Sequence, residues 1–190
     1  MKNVIKGKCE WAKVHEPDTK FDPDGLYSIE VTVPETEAVE MCEYLDGLVK
    51  TKITEEIKAN NKRSDLTTKT PYSKTEEGEI KFKFKLKAKV KTRDGQVFSQ
   101  RPLVVDSKRT PLTKDTLIGN GSIVKVAFEP YAYSMMSSKT CSVSLRLKGV
   151  QVLQLVEFQA AGSFFDEEDD GFIAKAEADK TGDMHIEADF

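Results

Sequence analysis

The residues best placed to do chemistry are lysines at every second position. The run Ile80-Lys-Phe-Lys-Phe-Lys-Leu-Lys-Ala-Lys-Val-Lys-Thr-Arg93 carries Lys81, Lys83, Lys85, Lys87, Lys89, Lys91 and Arg93 in alternation with a mostly apolar set. Strand side chains alternate between faces, so this spacing sends all seven cations to one side. Neighbouring cations then stand about 6–7 Å apart, near the phosphate spacing of an extended single strand. The plainer reading is a solvated face, or lysines that guard an edge strand against aggregation, for which one or two suffice. Seven like charges in line repel one another unless an anion answers them, which favours a face that tracks phosphates.

Aromatic residues supply the other half of such a site. Tyr131 and Tyr133 are two apart and share a strand face, and they follow Pro130, where the alternation of the preceding core residues has already broken. Stacking of a base on an aromatic ring is worth about 1–3 kcal/mol and tolerates any base. Trp11, the only tryptophan, lies beside Lys8 and Lys13, and suits a stacking platform and a core position equally. Arg146 and Lys148 share the polar side of a late strand, and Lys108-Arg109 falls in a loop. Both pairs are candidate phosphate contacts.

Enzyme signatures are missing: the chain has no GxxxxGK[ST], GxGxxG, GxSxG or HExxH. Lys91-Thr-Arg-Asp94-Gly95 resembles the K-x-D-G of nucleotidyltransferases, but has one residue too many between Lys and Asp. Asn120-Gly-Ser122 has the form of a glycosylation triplet and reads as a turn. Three scattered cysteines (Cys9, Cys42, Cys141) and two histidines (His15, His185) argue against a disulfide framework, a zinc knuckle or a histidine-rich metal site. No cofactor is implied. Asp166, Glu168, Asp170, Gly171 and Glu177 approach a calcium-loop pattern, with Ile173 in its apolar slot. Glu168 is one methylene too long for its position, the helix-forming flanks are poor, and no second hand follows.

Charge divides the chain. Residues 161–190 hold 10 acidic and 2 basic residues, a balance of -8, which leaves 22 acidic and 27 basic in the first 160, a balance of +5. A mildly basic body with an acidic tail suggests nucleic acid, or a tail that competes with it. The length of 190 residues and 38% hydrophobic content fit one domain (1–160) and a flexible appendage (161–190). Neither a signal peptide nor a membrane-spanning run is evident.

The elements that must position these groups read mostly as strands. Met1–His15 is a first strand, with Val4, Trp11 and Val14 as its apolar set. Asp22-Pro-Asp-Gly25 is a turn, and Leu26–Val33 alternates with β-branched residues. After Pro34, the residues Met41, Leu45, Leu48, Val49, Ile53 and Ile57 recur at helical spacing. Residues 60–79 form a polar loop, mobile or a flap carrying Lys62, Arg63, Lys69 and Lys74. The lysine run then enters a hairpin closed by Asp94-Gly95. Val124, Val126 and Phe128 alternate up to Pro130, which suits an edge or a bulge. Val143, Leu145 and Leu147 do the same until Gly149 shifts the parity to Val150 and Val152, the sign of a bulge at a barrel corner. The fold class is therefore mainly β: an OB-like, small Greek-key barrel with one amphipathic helix and a disordered acidic C-terminal tail.

The chain also resembles the single-stranded DNA-binding proteins of tailed bacteriophages. The likeness lies in Gly25-Leu-Tyr-Ser28 entering a strand, Ile118-Gly-Asn-Gly-Ser122 before a strand, Leu147-Lys-Gly-Val-Gln-Val152, and the acidic tail ending in Phe190. The resemblance implies an OB-fold that binds single-stranded DNA without reading sequence, in the cytoplasm of the infected bacterial host. It also implies a tail (Asp166, Glu167, Glu168, Asp169, Asp170, Glu187, Asp189, Phe190) that recruits replication proteins, can occupy the DNA groove, and accompanies homodimer formation. Rivals to this reading are a mediator that anneals complementary strands and a protein-interaction module whose lysines dock an acidic partner.

Overall fold

The computed structural model describes residues 3–20, 22–59, 65–92, 94–135 and 137–157. In chain order its elements are β1 (Val4–Asp18), β2 (Leu26–Val33), α1 (Glu35–Ala59), β3 (Thr67–Lys69), β4 (Tyr72–Lys74), β5 (Ile80–Lys87), β6 (Lys89–Lys91), β7 (Val97–Ser99), β8 (Leu103–Val105), β9 (Ile123–Met135) and β10 (Thr140–Gln154). The strands β1, β2, β5, β10 and β9 neighbour one another in that order, and β9 returns to β1. All these pairs are antiparallel except β5–β10, whose single bridge, Lys85↔Arg146, closes the ring in parallel. The result is a five-stranded barrel of the OB type with one helix, as the sequence predicts.

Alternation builds the interior. Phe82, Phe84 and Leu86 of β5 face inward with Ile29 and Val31 of β2, Val124, Val126 and Phe128 of β9, and Leu145 and Leu147 of β10. The Phe84 and Phe128 rings lie 5.1 Å apart between centroids. Burying each such side chain contributes about 1.5–3 kcal/mol. In β1 the inward set is Ile5, Cys9 and Val14, whereas Val4 and Trp11 are exposed. A bulge between Glu10 and Lys13 shifts the register, so Cys9 before it and Val14 after it both face inward, and Trp11, which suited either position, is exposed. Burial pushes the Cys9 thiol up to about 11, so it packs as a protonated core residue.

In α1 the residues Ala38, Met41, Leu45 and Val49 are buried at helical spacing, and the helix packs on β9 and β10. The Pro34 carbonyl accepts N–H groups from Glu37 and Ala38, and Glu35 and Glu37 in the first turn suit the positive end of the helix dipole. The expected bulge at Gly149 is present, as a register shift between Leu147 and Gly149 that leaves Val150 and Val152 buried. Glycine is required there: a Cβ would stand 2.9 Å from the Leu103 carbonyl of β8, which pairs alongside. Pro130 lies beyond Val4↔Ala127, the last β1–β9 pair, where β9 has lost its β1 neighbour and a missing N–H leaves no barrel bond unmade.

Two expectations are corrected. The lysine run is not one strand, because the chain bends at Ala88 and β6 and β7 form a separate two-stranded ribbon. Its closing pair is Thr92–Gln96, one residue wider than a two-residue turn, with Gly95 at φ 82. The polar segment 60–79 also contains short strands: β3 pairs in parallel with β10, and β4 pairs with β5. Among the described residues no helix is long and apolar enough to cross a membrane.

Candidate nucleic-acid interface

β5 and β10 pair only at Lys85↔Arg146, and an opening lies between them on the side of Lys81 and Ser142. β3 adds to β10 there and β4 adds to β5, so residues 69–73 form a lip across the opening. Between lip and barrel lies a groove of about 430 Å³, lined by Lys81, Lys83 and Lys85 on one wall and Ser142, Ser144 and Tyr133 on the other, with Lys69 and Tyr72 at the lip. The Tyr72 hydroxyl donates to Asp46 of α1 at 3.0 Å, which ties the lip to the helix. Burial and that carboxylate push the phenol up, so it remains a neutral donor. β5 is an inner strand, paired with β2 along its whole length, so its lysines do not guard an edge.

The outer face of β9–β10 continues the groove. Cross-strand pairs put Tyr133 beside Ser142, Tyr131 beside Ser144 and Glu129 beside Arg146, and Arg146 in turn lies opposite Lys85. Lys85, Arg146, Tyr131 and Tyr133 therefore share one surface. Tyr131 is 59% exposed, while Tyr133 is half-buried in the groove wall. Lys148, at the bulge, holds Glu129 at 2.9 Å, which lowers that carboxyl below its ordinary value, and Arg146 reaches the same carboxylate at 3.8 Å.

The lysine row is partly answered from within. Lys81 binds Glu10 at 2.7 Å, Lys83 binds Glu30 at 2.6 Å, and Lys87 approaches Asp22 at 3.4 Å. Glu30 lies directly across from Lys83 in the β2–β5 register, and Glu10 across from Glu30 in the β1–β2 register. The expectation that only an external anion can relieve the row is thus corrected for three members. Lys85, Lys89 and Lys91 form no salt bridge among the described residues.

Other expected positions stand apart from the groove. Trp11 is the extra residue of the β1 bulge, 67% exposed, at φ 51, with its N–H donated to Asn120 Oδ1 at 2.8 Å. A bulky side chain in left-handed backbone is strained, and such strain concentrates at functional positions. Lys108 and Arg109 occupy a turn whose Asp106 carboxylate accepts the N–H groups of Lys108 and Thr110. Arg109 borders a different, apolar hollow with Leu103, Lys125 and Ala127. Lys89 and Lys91 belong to the ribbon. Arg93 and the tail residues Asp166, Glu167, Glu168, Asp169, Asp170, Glu187, Asp189 and Phe190 lie outside the described residues, as does the calcium-like stretch 166–177. Among the described residues no cluster of three or more acidic, cysteine or histidine side chains could hold a metal.

Sequence reasoning named Lys69 as a cation of a mobile loop or flap and Tyr72 as a possible anchor of that loop, and did not find Ser142 or Ser144. The serines follow from the β10 alternation that places Val143 and Leu145 inside. The lip falls within the segment 60–79, whose cations left a flap as one of its two readings.

The sequence model of the family described as single-stranded DNA-binding protein, bacteriophage T7, matches residues 6–155. The chain belongs to this family. Among solved structures, this family member is similar to the crystal structure of gp2.5, a single-stranded DNA-binding protein encoded by bacteriophage T7. The TM-score is 0.70 at 24% identity, over 88% of this chain and 99% of that one. It is also similar to the single-stranded DNA-binding protein of bacteriophage Enc34 in complex with single-stranded DNA, with a TM-score of 0.49 at 17% identity over 82% of this chain and 88% of that one. No curated protein matches the sequence.

Proposed function

We propose that the protein binds single-stranded DNA without reading its sequence, along the groove at the β5–β10 seam. One observation carries this: Lys81, Lys83 and Lys85 of β5 and Tyr133 of β9, 48 or more residues apart in the chain, line the same opening. Lys81, Lys83 and Lys85 with Arg146 would meet phosphates, while Tyr133 and Tyr131 would stack bases. Lys69 and Ser144 offer further donors along the path. Nothing in this arrangement selects among base edges, because stacking and phosphate contacts are common to every nucleotide.

The role follows from the family and the charge division. The protein would coat and protect single strands during phage DNA replication. Residues 161–190, with a balance of -8, would compete with DNA for the basic body and, when displaced, recruit replication proteins. The test is fluorescence anisotropy of a labelled oligo-dT and of the matching duplex, with the full chain and with residues 1–160, at two salt concentrations. Preference for the single strand, a log K that falls by about 0.7 per neutralised phosphate with log salt, and tighter binding by 1–160 are expected. Equal affinity for the duplex would overturn the reading, and unchanged or weaker binding by 1–160 would remove tail competition from it.

A further inference from the structure

Trp11 interrupts β1 without serving the barrel. Around it the alternation is intact: Cys9 and Val14 are buried and Ala12 packs against the core, while Glu10 and Lys13 lie at the outward positions. The indole is the residue the strand gains at the bulge, and it takes no part in the core. Its backbone stands at φ 51, which strains a bulky residue and which glycine would adopt freely. The bulge is nevertheless held firmly. Cys9 N–H donates to the Ser122 carbonyl and Gly121 N–H to the Cys9 carbonyl, both at 2.9 Å, and Trp11 N–H donates to Asn120 Oδ1 at 2.8 Å. An exposed ring, kept in a strained place that the fold does not need, points to a ligand.

The strand register says which ligand. Residues directly opposite in neighbouring strands share a face. Arg146 lies opposite Lys85, Lys85 opposite Ser28, and Ser28 opposite Lys13, so one row crosses the outer face from β10 to β1. Lys83, Glu30 and Glu10 form the next row, and Trp11 stands in the chain between Glu10 and Lys13, the β1 members of the two. Lys85 and Lys13 are two strand spacings apart, about 10 Å, which one to two nucleotides of extended single strand would cover. We propose that the single strand bound in the groove leaves it over Lys85 and Arg146, crosses β2 at Ser28 and stacks a base on Trp11. The inference deepens the groove reading and rests on it. Lys13 would meet the crossing phosphate: its bond to Asp18 is an exposed pair, displaced at small cost. Lys81 holds the Glu10 carboxylate at 2.7 Å, which answers the negative charge next to the ring.

Trp11 is the only tryptophan, so the native chain carries its own probe. A 15-nucleotide oligo-dT would be titrated with the full chain, reading indole emission and, with labelled oligomer, anisotropy. Quenching that saturates along the anisotropy curve is expected. Trp11→Ala should weaken binding by about 5–100-fold, and Trp11→Phe by distinctly less. Trp11→Gly should bind as weakly as Trp11→Ala and melt no lower than the parent, because glycine relieves the bulge. Unchanged emission on binding, or parental affinity in Trp11→Ala, would overturn the proposal. So would a Trp11→Gly chain that melts well below the parent, which would make the indole a structural residue. Lys85→Glu tells the two readings apart. If it weakens binding while Trp11 stays unquenched, the groove stands and this contact falls; if it changes nothing, the groove reading falls and takes the contact with it.

Discussion

Neighbouring members of one lysine row differ in what they face. Lys81 and Lys83 lie beside β2 and share Glu10 and Glu30, so they are held and largely neutralised. Lys85 lies where β5 leaves β2's carboxylates behind and meets Arg146 of β10, so two cations stand side by side. A row that is uniform in sequence is therefore uneven in the fold. Lys81, Lys83 and Lys87 have carboxylate partners, and Lys85, between them and opposite Arg146, carries the strongest demand for an external anion. Exposed ion pairs contribute little to stability, at most about 1 kcal/mol, so a polyphosphate can displace Glu30 at small cost.

The largest effect is expected where Lys85 meets Arg146. Lys85→Glu with Arg146→Glu should weaken oligo-dT binding about a hundredfold at low salt and flatten the salt slope by about 0.7 for each phosphate no longer neutralised, read by anisotropy across a salt series. Lys81→Ala with Lys83→Ala should cost distinctly less, because those cations are already engaged. Next in size is stacking. Tyr133→Ala should lose about 1–3 kcal/mol of binding with little change in melting temperature, and Tyr131→Ala, at the open margin, should lose less.

The opposite sign is expected among the paired lysines. Glu30→Gln frees Lys83, while Lys81 keeps its bond to Glu10, and should tighten binding by about two- to fivefold, with a change in stability near zero. The smallest effect concerns pH. Lys148 holds the Glu129 carboxyl below its ordinary value, so it stays ionised above that value and its contribution is fully present there. That contribution is lost only as pH falls through the lowered value. DNA affinity should therefore show no dependence on this group between about pH 5 and 8, whereas Glu129→Gln should raise affinity slightly by freeing Arg146 and Lys148.

Much of the barrel was legible because alternation is local. Val124, Val126 and Phe128, then Val143, Leu145 and Leu147 with the parity change at Gly149, are buried as their spacing requires. The break at Ala88 was not legible. Lys-Ala-Lys-Val-Lys keeps the same period through it, and the bend is imposed by bonds to Gly25 and Gln100, distant in sequence. β3 and β4 were hidden for a related reason: Thr67–Lys69 and Tyr72–Lys74 bury too little to show a period, and they become strands by adding to β10 and β5. The groove itself depends on the parallel closure of β5 on β10, a non-local pairing that no residue in either strand announces. The side chains that line it were readable one strand at a time, and their meeting was not.

The location of the strand is the central claim, and photocrosslinking reads it directly. A dT oligomer carrying iododeoxyuridine at successive positions would be irradiated with the full chain, and the attached peptides mapped by mass spectrometry. Attachment at Tyr133, Tyr131 and the 69–85 segment is the expected result. Attachment confined to α1 or to the Leu103–Arg109 side of the barrel, with none at Tyr133, would contradict it.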